Sequence, residues 1–291
     1  MLDTSSLMYR AFYALPDSIA APDGRPVHAI HGYLDMTATL IRNREPGEVV
    51  HCLDHDWRPA PRVEAYAGYK AERPDEPEAL TPQFAMLREV LPLTGMLTAE
   101  APGWEAEDAI GSLCAAMPKR DRAEIVTGDR DLIQLVRDPQ VRMLYTLRGV
   151  SNLAILDEAA VAEKYGVPAS RYGDFAILRG DPSDGLPGVK GVGEKTARAL
   201  VAEYGSIDEL VEDVAKPVRK AQILRRSPAL RARIAAAAEY LEAMKQVVPI
   251  RTDLEVAVDP GKRNDAALDP LAERHGLTGP IARLRAAMER R

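Results

Sequence analysis

Short apolar runs recur along the chain, and each of them ends in aspartate. They occupy residues 1–2, 49–53 and 125–128, and longer stretches with helical patterns separate them. Runs of this kind predict buried strands of a largely parallel α/β sheet. The aspartates that follow the runs are Asp3, Asp54, Asp129 and Asp131.

The position of these aspartates has two interpretations. Ligands of open α/β sheets bind beyond the carboxyl ends of the strands, which predicts that the four side chains converge on one site. An aspartate directly after a strand is also an ordinary turn residue or helix N-cap. For each aspartate taken alone, that second interpretation stays open.

A further acidic group belongs to a predicted helix. Pro-Gly-Trp at 102–104 precedes an acidic stretch, and apolar residues at helical spacing continue to Met117. Acids in a first turn suit the helix dipole, which is the structural interpretation. However, Glu105 and Asp108 are three residues apart and share a face, and Glu107 borders that face. The turn can therefore present two or three carboxylates to one point.

The loop at 180–185 adds two more acids, in a sequence that ordinary turn chemistry also explains. The nine candidate carboxylates are Asp3, Asp54, Glu105, Glu107, Asp108, Asp129, Asp131, Asp181 and Asp184. Close carboxylates destabilise one another unless cations neutralise them. All-oxygen donors without a matching His or Cys set favour Mg²⁺ or Mn²⁺. A pair of such ions is the usual device for in-line phosphodiester cleavage.

Two regions have features of nucleic-acid binding. Residues 58–82 hold five prolines, which predicts a long loop or short helices, and cations alternate there with Tyr66 and Tyr69. Single-stranded DNA binds to such a mixture, although a solvated loop has the same pattern. The cations are Arg58, Arg62, Lys70 and Arg73.

The segment 186–197 is more specific, because its glycines allow a tight turn before an apolar helix face that Gly205 closes. This pattern predicts a helix–hairpin–helix whose backbone amides hold a phosphate, with Lys190 and Lys195 adding charge. A glycine-rich structural turn is the alternative. Residues 214–238 carry seven basic residues and no acid, which is also typical of a solvated helical face.

Composition sets limits on these predictions. The 291 residues suggest about two domains. The net charge of −6 alone argues against a nucleic-acid partner, but nine acids can be assigned to a metal site while the cations cluster elsewhere. We expect no membrane association, because no apolar run approaches ~18 residues. Two cysteines and no visible signal peptide predict a cytoplasmic protein without a disulfide framework.

Five segments carry a resemblance to a known family. They read LDTSSLMYRAFYALP, EAYAGYKAER, PGWEAED, VTGDRDLIQL and LRGDPSDGLPGVKGVGEKTA. In this order and at these distances they resemble the bacterial 5′→3′ exonuclease or flap endonuclease family, best known as the N-terminal nuclease domain of DNA polymerase I. The resemblance covers essentially the whole chain, and we expect a free-standing member.

The resemblance implies an α/β fold: a PIN/resolvase-like nuclease core with a central, mostly parallel sheet and flanking helices, a helical arch, and a C-terminal helical region with a helix–hairpin–helix. The expected core is 1–158, with the arch or loop at about 58–82. The expected DNA-binding region is 159–291, with the helix–hairpin–helix at about 180–205.

The resemblance also implies roles for individual residues. All nine acids match the family's cluster for two or three Mg²⁺ or Mn²⁺ ions, with an inner group of Glu105, Glu107, Asp129, Asp131 and Asp184. Lys70 and Arg62 match groups that steer the scissile phosphate, and Ser183 matches a side chain that helps to hold K⁺ at the hairpin. The expected DNA-binding residues are Tyr9, Arg10, Tyr69, Arg73, Gly188, Lys190, Gly191, Gly193, Lys195 and Thr196.

Three positions depart from the family pattern. Glu107 stands where many bacterial members carry Asp, and Gly185 stands where Asn is common, so that a loop hydrogen bond is expected to be missing. Asp3 lies almost at the start of the chain, although termini fray. We expect either that the natural start lies upstream or that Asp3 is poorly anchored.

These observations predict a monomeric, structure-selective 5′ nuclease for branched or flapped DNA and nicked duplex, with RNA-primer ends left open as a further substrate. A non-catalytic, structure-specific DNA-binding protein and a ribonuclease of related fold are the alternatives.

Overall fold

The computed structural model describes residues 1–147, 149–217 and 221–290. The strands are β1 (Leu2–Asp3), β2 (Val50–Cys52), β3 (Leu97–Glu100), β4 (Ala123–Thr127), β5 (Val141–Thr146), β6 (Leu153–Leu156) and β7 (Ala257–Asp259). The helices of the first half are α1 (Thr4–Ala14), α2 (His28–Arg44), α3 (Ala60–Ala65), α4 (Thr81–Thr94) and α5 (Ala106–Ala116). The later helices are α6 (Glu158–Tyr165), α7 (Tyr172–Arg179), α8 (Glu194–Glu203), α9 (Ile207–Ala215), α10 (Gln222–Arg226), α11 (Pro228–Ala236), α12 (Ala238–Val247), α13 (Asp265–Arg274) and α14 (Thr278–Met288). Short 3-10 helices occupy Asp131–Leu135, Ala169–Arg171 and Pro182–Asp184.

The described strands form one sheet in the order β6-β5-β4-β1-β2-β3-β7. The five central strands are parallel, and β6 and β7 are antiparallel edges. The predicted strands at 1–2, 49–53 and 125–128 lie side by side in its centre. Although β1 has only two residues, it is held from both sides, because Leu2 is paired with His51 of β2 and with Val126 of β4.

Hydrophobic side chains cover both faces of this sheet. On β4, Ile125 faces a core that includes Ile110 of α5, whereas Val126 faces a second core that includes Ile30 of α2 and Leu284 of α14. The central strands are therefore buried on both faces, which is why they appear in the sequence as continuous apolar runs and not as alternating patterns. The mostly parallel α/β sheet with flanking helices is confirmed.

The end of the chain returns to the first half of the fold. Strand β7 pairs with β3, α13 packs on α4, and α14 packs on α2. Arg283 of α14 forms an ion pair with Asp35 of α2 at 2.7 Å. Residues 257–290 therefore pack against the first half of the fold, although the expected division into 1–158 and 159–291 places them in the second region. That division stays a prediction.

The expected arch segment contains only one short helix. Helix α3 is followed by chain without regular helix or strand up to α4. The backbone amide of Lys70 donates to the carbonyl of Asp184 at 2.9 Å, which joins this segment to the acidic loop of the helical region. The segment 58–82 therefore forms a folded wall at the carboxyl edge of the sheet.

A tight turn and helix α8 occupy the predicted helix–hairpin–helix. Gly188 has φ +68°, and a Cβ there would lie 2.5 Å from backbone atoms of Arg179 and Gly180. Only glycine fits such a contact, which explains this part of the sequence pattern. Cys52 and Cys114 are free and buried. In the described ranges, no helix combines the length and apolarity that crossing a membrane requires.

Candidate active site

A cleft of about 1140 Å³ opens at the carboxyl ends of β1, β2 and β4. Six of the nine predicted carboxylates line it: Asp3, Asp54, Glu105, Glu107, Asp129 and Asp181. Asp131 interacts electrostatically with Asp129 and Asp184, and Asp108 lies behind Glu105. The fold therefore brings together acids from three strand ends, from the start of α5 and from the loop before the hairpin.

Asp3 is firmly anchored, which corrects the expectation of a poorly held residue. Its carboxylate caps α1 by accepting from the amide of Ser6 at 3.1 Å, and it accepts from the Thr127 hydroxyl at 2.6 Å. Burial raises its pKa to about 7, and Asp54 adds repulsion. Asp3 is both an N-cap and a member of the site, so the two interpretations of its position hold together.

Asp54 links the strand edge to α5. It accepts from the Ser5 hydroxyl at 2.5 Å and from the backbone amide of Ala106, in the first turn of α5, at 2.7 Å. Burial raises its pKa, while these hydrogen bonds act in the opposite direction. The first turn of α5 is therefore fixed relative to β2 through a side chain that belongs to the site.

Helix α5 begins with a capping box in which Glu105 and Asp108 each bond to the other's backbone amide. Oxygens of Glu105, Glu107 and Asp108 lie within 4.8 Å of one another. Burial and neighbouring acids raise the pKa of Glu107. The turn brings these three carboxylates to one point, which is the arrangement expected from their spacing.

Arg62 lies beneath this group, with only 1% of its side chain exposed. It donates to Glu105, to Glu107 at 3.0 Å and to Asp108 at 2.8 Å. Burial lowers the pKa of the guanidinium, but the carboxylates outweigh this and hold it raised. Arg62 was expected to contact the scissile phosphate from the arch. Its guanidinium instead lies among three carboxylates, which leave it no room to do so.

Lys70 and Tyr69 also bond to Glu105. The Lys70 ammonium donates to one oxygen, and the Tyr69 hydroxyl donates to the other at 2.6 Å. Lys70 lines the cleft, and Glu105 holds its pKa raised against the effect of burial. Tyr69 is 2% exposed, so its predicted role as a stacking ring for DNA is wrong: the protein core already covers the ring.

Two loops complete the acidic wall. Asp129 accepts from the amide of Asp131 at 3.0 Å, and burial together with repulsion from Asp129 raises the pKa of Asp131. Asp181 accepts from the Ser183 hydroxyl at 2.5 Å. Arg73 donates to Asp184 at 2.7 Å. Ser183 therefore lies beside the carboxylates of the cleft, and its hydroxyl points towards Asp181.

The structure explains why glycine occupies position 185, which the sequence pattern did not. Its φ is +72°, and a Cβ there would collide with the carbonyl oxygen of Gly68. A side chain at this position would separate the 66–70 segment from the acidic loop. The glycine therefore permits the close approach that places Lys70 beside Asp184.

The donor set fits divalent cations. The ligand atoms available are carboxylate oxygens, which Mg²⁺ and Mn²⁺ prefer. The pKa values of Asp3, Asp54, Glu107, Asp131 and Asp184 are all raised, chiefly by burial. A cation between such groups would relieve their mutual repulsion. Arg62 and Lys70 provide part of this neutralisation.

The hairpin presents positive charge outside the cleft. Lys190 and Lys195 are exposed, and Gly193 is the N-cap of α8. The Arg233 guanidinium lies over Gly191 and donates to the Lys190 carbonyl at 3.5 Å. The basic run at 214–238 thus adjoins the hairpin, although Arg219 and Lys220 of that run fall outside the described residues. Thr196 is half-buried in the first turn of α8.

Aromatic residues beyond the predicted site residues also line the cleft. Tyr9 and Arg10, which the family resemblance predicts to bind DNA, lie on α1 and line the wall. Tyr13 and Trp57 lie on the same walls. Tyr13 follows Tyr9 by four residues, and that helical spacing was the available signal. For Trp57, the only indication in the sequence that it lies near the site is its position three residues after Asp54.

The fold and the site define a resolvase-like α/β protein with a carboxylate-lined cleft and a helical region bearing a hairpin. Family models match residues 1–166 as "5′-3′ exonuclease, N-terminal resolvase-like domain" and residues 167–270 as "5′-3′ exonuclease, C-terminal SAM fold". The chain belongs to this 5′-3′ exonuclease family, which confirms the resemblance of the five sequence segments.

Known proteins are similar to this chain in sequence or in fold. The chain is 44% identical over 301 residues to a 5′-3′ exonuclease of Streptomyces coelicolor, covering 98% of each chain. Its fold matches a complex of the bacteriophage T5 flap endonuclease with DNA and metal ions at a TM-score of 0.62 and 16% identity, covering 99% of this chain and 97% of that chain. Flap endonuclease-1 from Methanococcus jannaschii matches at a TM-score of 0.59 and 18% identity, covering 99% and 92%.

Proposed function

We propose that this chain is a divalent-metal-dependent, structure-selective 5′ nuclease that hydrolyses DNA phosphodiesters, as a 5′→3′ exonuclease and as a 5′-flap endonuclease, in replication and repair. The observation that carries the proposal is the convergence of carboxylates from three strand ends, α5 and the 181–184 loop on one cleft. The family assignment and the DNA complex of the T5 enzyme support it.

The proposed cofactors are two or three Mg²⁺ or Mn²⁺ ions. Glu105, Glu107 and Asp129 would hold one, and Asp131 with Asp184 would hold a second. When bound, such ions supply Lewis-acid activation of water and of the leaving oxygen. Asp3 and Asp54 hold the surrounding elements in position. Asp3 links α1 to β4 through Thr127, and Asp54 holds the start of α5.

The proposed roles of the two cations differ. Lys70 lines the cleft, so its ammonium is placed to stabilise charge on a bound phosphate. Arg62 is enclosed, so it acts through Glu105, Glu107 and Asp108 as a positioning residue. Arg73 is partly exposed at the acidic loop, where it can approach the DNA backbone while it orients Asp184.

The proposed DNA contact outside the cleft is the hairpin. Lys190, Lys195 and the amides at the start of α8 would bind the phosphates of duplex DNA without reading the sequence of bases. We propose K⁺ at this hairpin with backbone carbonyls as ligands; Ser183, the expected side-chain ligand, donates its hydroxyl to Asp181 in the cleft and would have to turn away from it to join them. Further proposals are a monomer that acts in the cytoplasm on flapped, branched or nicked DNA, with RNA-primer ends as an additional substrate.

The test is cleavage of 5′-flap DNA, nicked duplex and RNA–DNA hybrid with Mg²⁺, Mn²⁺ or EDTA. Asp129→Ala and Asp184→Ala should abolish cleavage and spare duplex binding. Glu212→Gln, at a side chain that is 71% exposed on α9, is the matched acidic control and should cleave normally. Cleavage by either site variant at saturating Mg²⁺ would contradict the metal assignment. Cleavage of the hybrid alone would favour the ribonuclease alternative.

A further inference from the structure

Two large aromatic side chains remain exposed on the walls of the carboxylate cleft. Tyr13 is 74% exposed and Trp57 is 51% exposed. The other exposed large hydrophobic residues of the described ranges are Leu147, Ile155 and Val258, which are aliphatic and do not line the cleft. Single exposed apolar residues are ordinary on protein surfaces. Here, however, both of the exposed aromatic rings line the same cleft, and this shared location requires an explanation.

Trp57 is presented by a turn that hydrogen bonds fix on both sides. Before it, the amides of His55 and Asp56 donate to the carbonyl of Trp104 at 3.1 and 3.0 Å. After it, the amide of Arg58 donates to the Asp56 carboxylate at 2.9 Å, and the Arg58 side chain bonds to two carbonyls further along the chain. A well-anchored turn thus holds half of an indole in solvent, at the cleft and three residues after Asp54.

Tyr13 extends a row of rings along α1. The ring centroid of Tyr9 lies 6.4 Å from that of Tyr13 and 6.3 Å from that of Phe84. Since a helix rises ~1.5 Å per residue, Tyr13 lies ~14 Å along α1 from Thr4, where the carboxylates begin. The row therefore leads from the acidic cluster to the outer end of the cleft, over the length of a few nucleotides.

The same cleft supplies cations for a phosphate backbone. Arg10, Arg73, Arg88 and Arg130 all line it. Three of them form ion pairs with carboxylates, so a phosphate would share their charge: Arg73 with Asp184, Arg88 with Glu100 and Arg130 with Asp181. Exposed rings combined with arginines bind single strands, because an unpaired base offers its face for stacking while a base inside a duplex is covered by its neighbours. The chemistry of the walls therefore matches unpaired nucleotides and not paired ones.

We propose that Tyr13 and Trp57 stack on unpaired bases of the 5′ strand on two walls of the cleft, and thereby select DNA that carries unpaired 5′ nucleotides. The inference rests on the proposed function and names two specificity-determining residues for it. In this proposal the hairpin binds the duplex whether or not a flap is present. Tyr13 and Trp57 would therefore increase the affinity for DNA with a flap relative to DNA without one.

The first experiment measures affinity by fluorescence anisotropy in EDTA, for 5′-flap DNA and for the same nicked duplex without a flap. Trp57→Ala and Tyr13→Ala should each reduce the ratio of flap to nicked-duplex affinity about tenfold. Trp57→Phe keeps an aromatic ring and should restore most of the ratio. Ile155→Ala removes an exposed apolar side chain from β6, outside the cleft, and is the matched control.

The second experiment uses intrinsic fluorescence. The chain has two tryptophans, and Trp57→Phe removes the one in the cleft. Stacking on a base should quench the fluorescence of the wild-type chain when flap DNA is added, and this quenching should disappear in Trp57→Phe. Addition of the nicked duplex should leave the signal of both chains nearly unchanged.

The outcomes separate this inference from the function on which it rests. If the wild-type chain cleaves none of these DNAs with Mg²⁺ or Mn²⁺, the proposed function fails. If it cleaves flap DNA but both alanine variants keep the wild-type affinity ratio and flap DNA does not quench Trp57, the nuclease assignment stands and the stacking inference is overturned.

Discussion

Arg62 donates from Nη2 to Oδ1 of Asp108 at 2.8 Å, at a position where neither side chain reaches solvent. The same Asp108 oxygen accepts from the backbone amide of Arg251 at 2.9 Å. The segment that leads from the helical region back to the α/β unit is thus bonded to Asp108, the partner of the arginine that also donates to Glu105 and Glu107. The position of the Glu105, Glu107 and Asp108 carboxylates therefore depends on the buried Arg62 guanidinium and on the distant backbone at Arg251.

Replacement of Arg62 by Gln should destabilise the protein by about 3 kcal/mol, because it leaves buried carboxylates without their partner. Urea unfolding measures this change. Arg120→Gln, at a side chain that is 89% exposed, is the matched control and should change stability very little. Titration calorimetry with Mn²⁺ should also show weaker binding to Arg62→Gln. Equal stability of the two variants would contradict the positioning role.

The pair Gly185→Ala and Gly24→Ala separates a steric collision from backbone strain. Both glycines have positive φ, +72° and +87°, but a Cβ at Gly24 meets nothing within 4 Å, whereas one at Gly185 meets the Gly68 carbonyl. Gly24→Ala should cost only about 1 kcal/mol of unfolding free energy. Gly185→Ala should cost more and should also slow cleavage, because it pushes the 66–70 segment away. If both variants cleave at the wild-type rate, the close contact does not control the site.

Asp131→Asn should have opposite effects on metal-free and metal-bound protein. Burial and repulsion from Asp129 raise the pKa of Asp131, so the neutral amide should raise the melting temperature in EDTA. Mg²⁺ or Mn²⁺ should raise the melting temperature of the wild-type chain by mass action and raise that of Asp131→Asn much less. Differential scanning fluorimetry measures both. A variant that is less stable in EDTA yet shifts fully with metal would contradict this role of Asp131.

His51 should make the protein less stable as the pH falls. Burial lowers its pKa to about 3, and its Nδ1 lies 2.5 Å from the Tyr33 hydroxyl. An unfolded histidine takes up a proton below about pH 6.5, so between that value and pH 3 the unfolded state binds more protons and folding stability is lost, by at most about 1.4 kcal/mol per pH unit. The unfolding free energy of His51→Gln should depend less on pH between 6 and 4 than that of the wild-type chain. Equal slopes would show that His51 takes up its proton at the same pH in the folded and the unfolded protein, which would contradict the lowered pKa.

The order of apolar and polar residues along the chain predicts the class of fold and the candidate acids of the site. Continuous apolar runs that end in aspartate predicted the central parallel strands, because strands buried on both faces must be apolar throughout and their carboxyl ends share one edge. Helical spacing placed Glu105 and Asp108 on one face. Glycines at 188 and 191 predicted the hairpin, and at Gly188 a close backbone approach excludes other residues.

Which charged and aromatic side chains are exposed or line the cleft depends on contacts between distant segments of the fold. Arg62, Tyr69 and Lys70 fall in one stretch of the sequence and all three are buried, yet of the three only Lys70 lines the cleft. Trp57 stays exposed because distant backbone groups fix its turn. Asp3 is anchored because a two-residue strand is held between two neighbours, and 257–290 joins the first half of the fold through pairing of β7 with β3. Burial and pairing arise from segments far apart in the chain, and local sequence patterns do not contain that information.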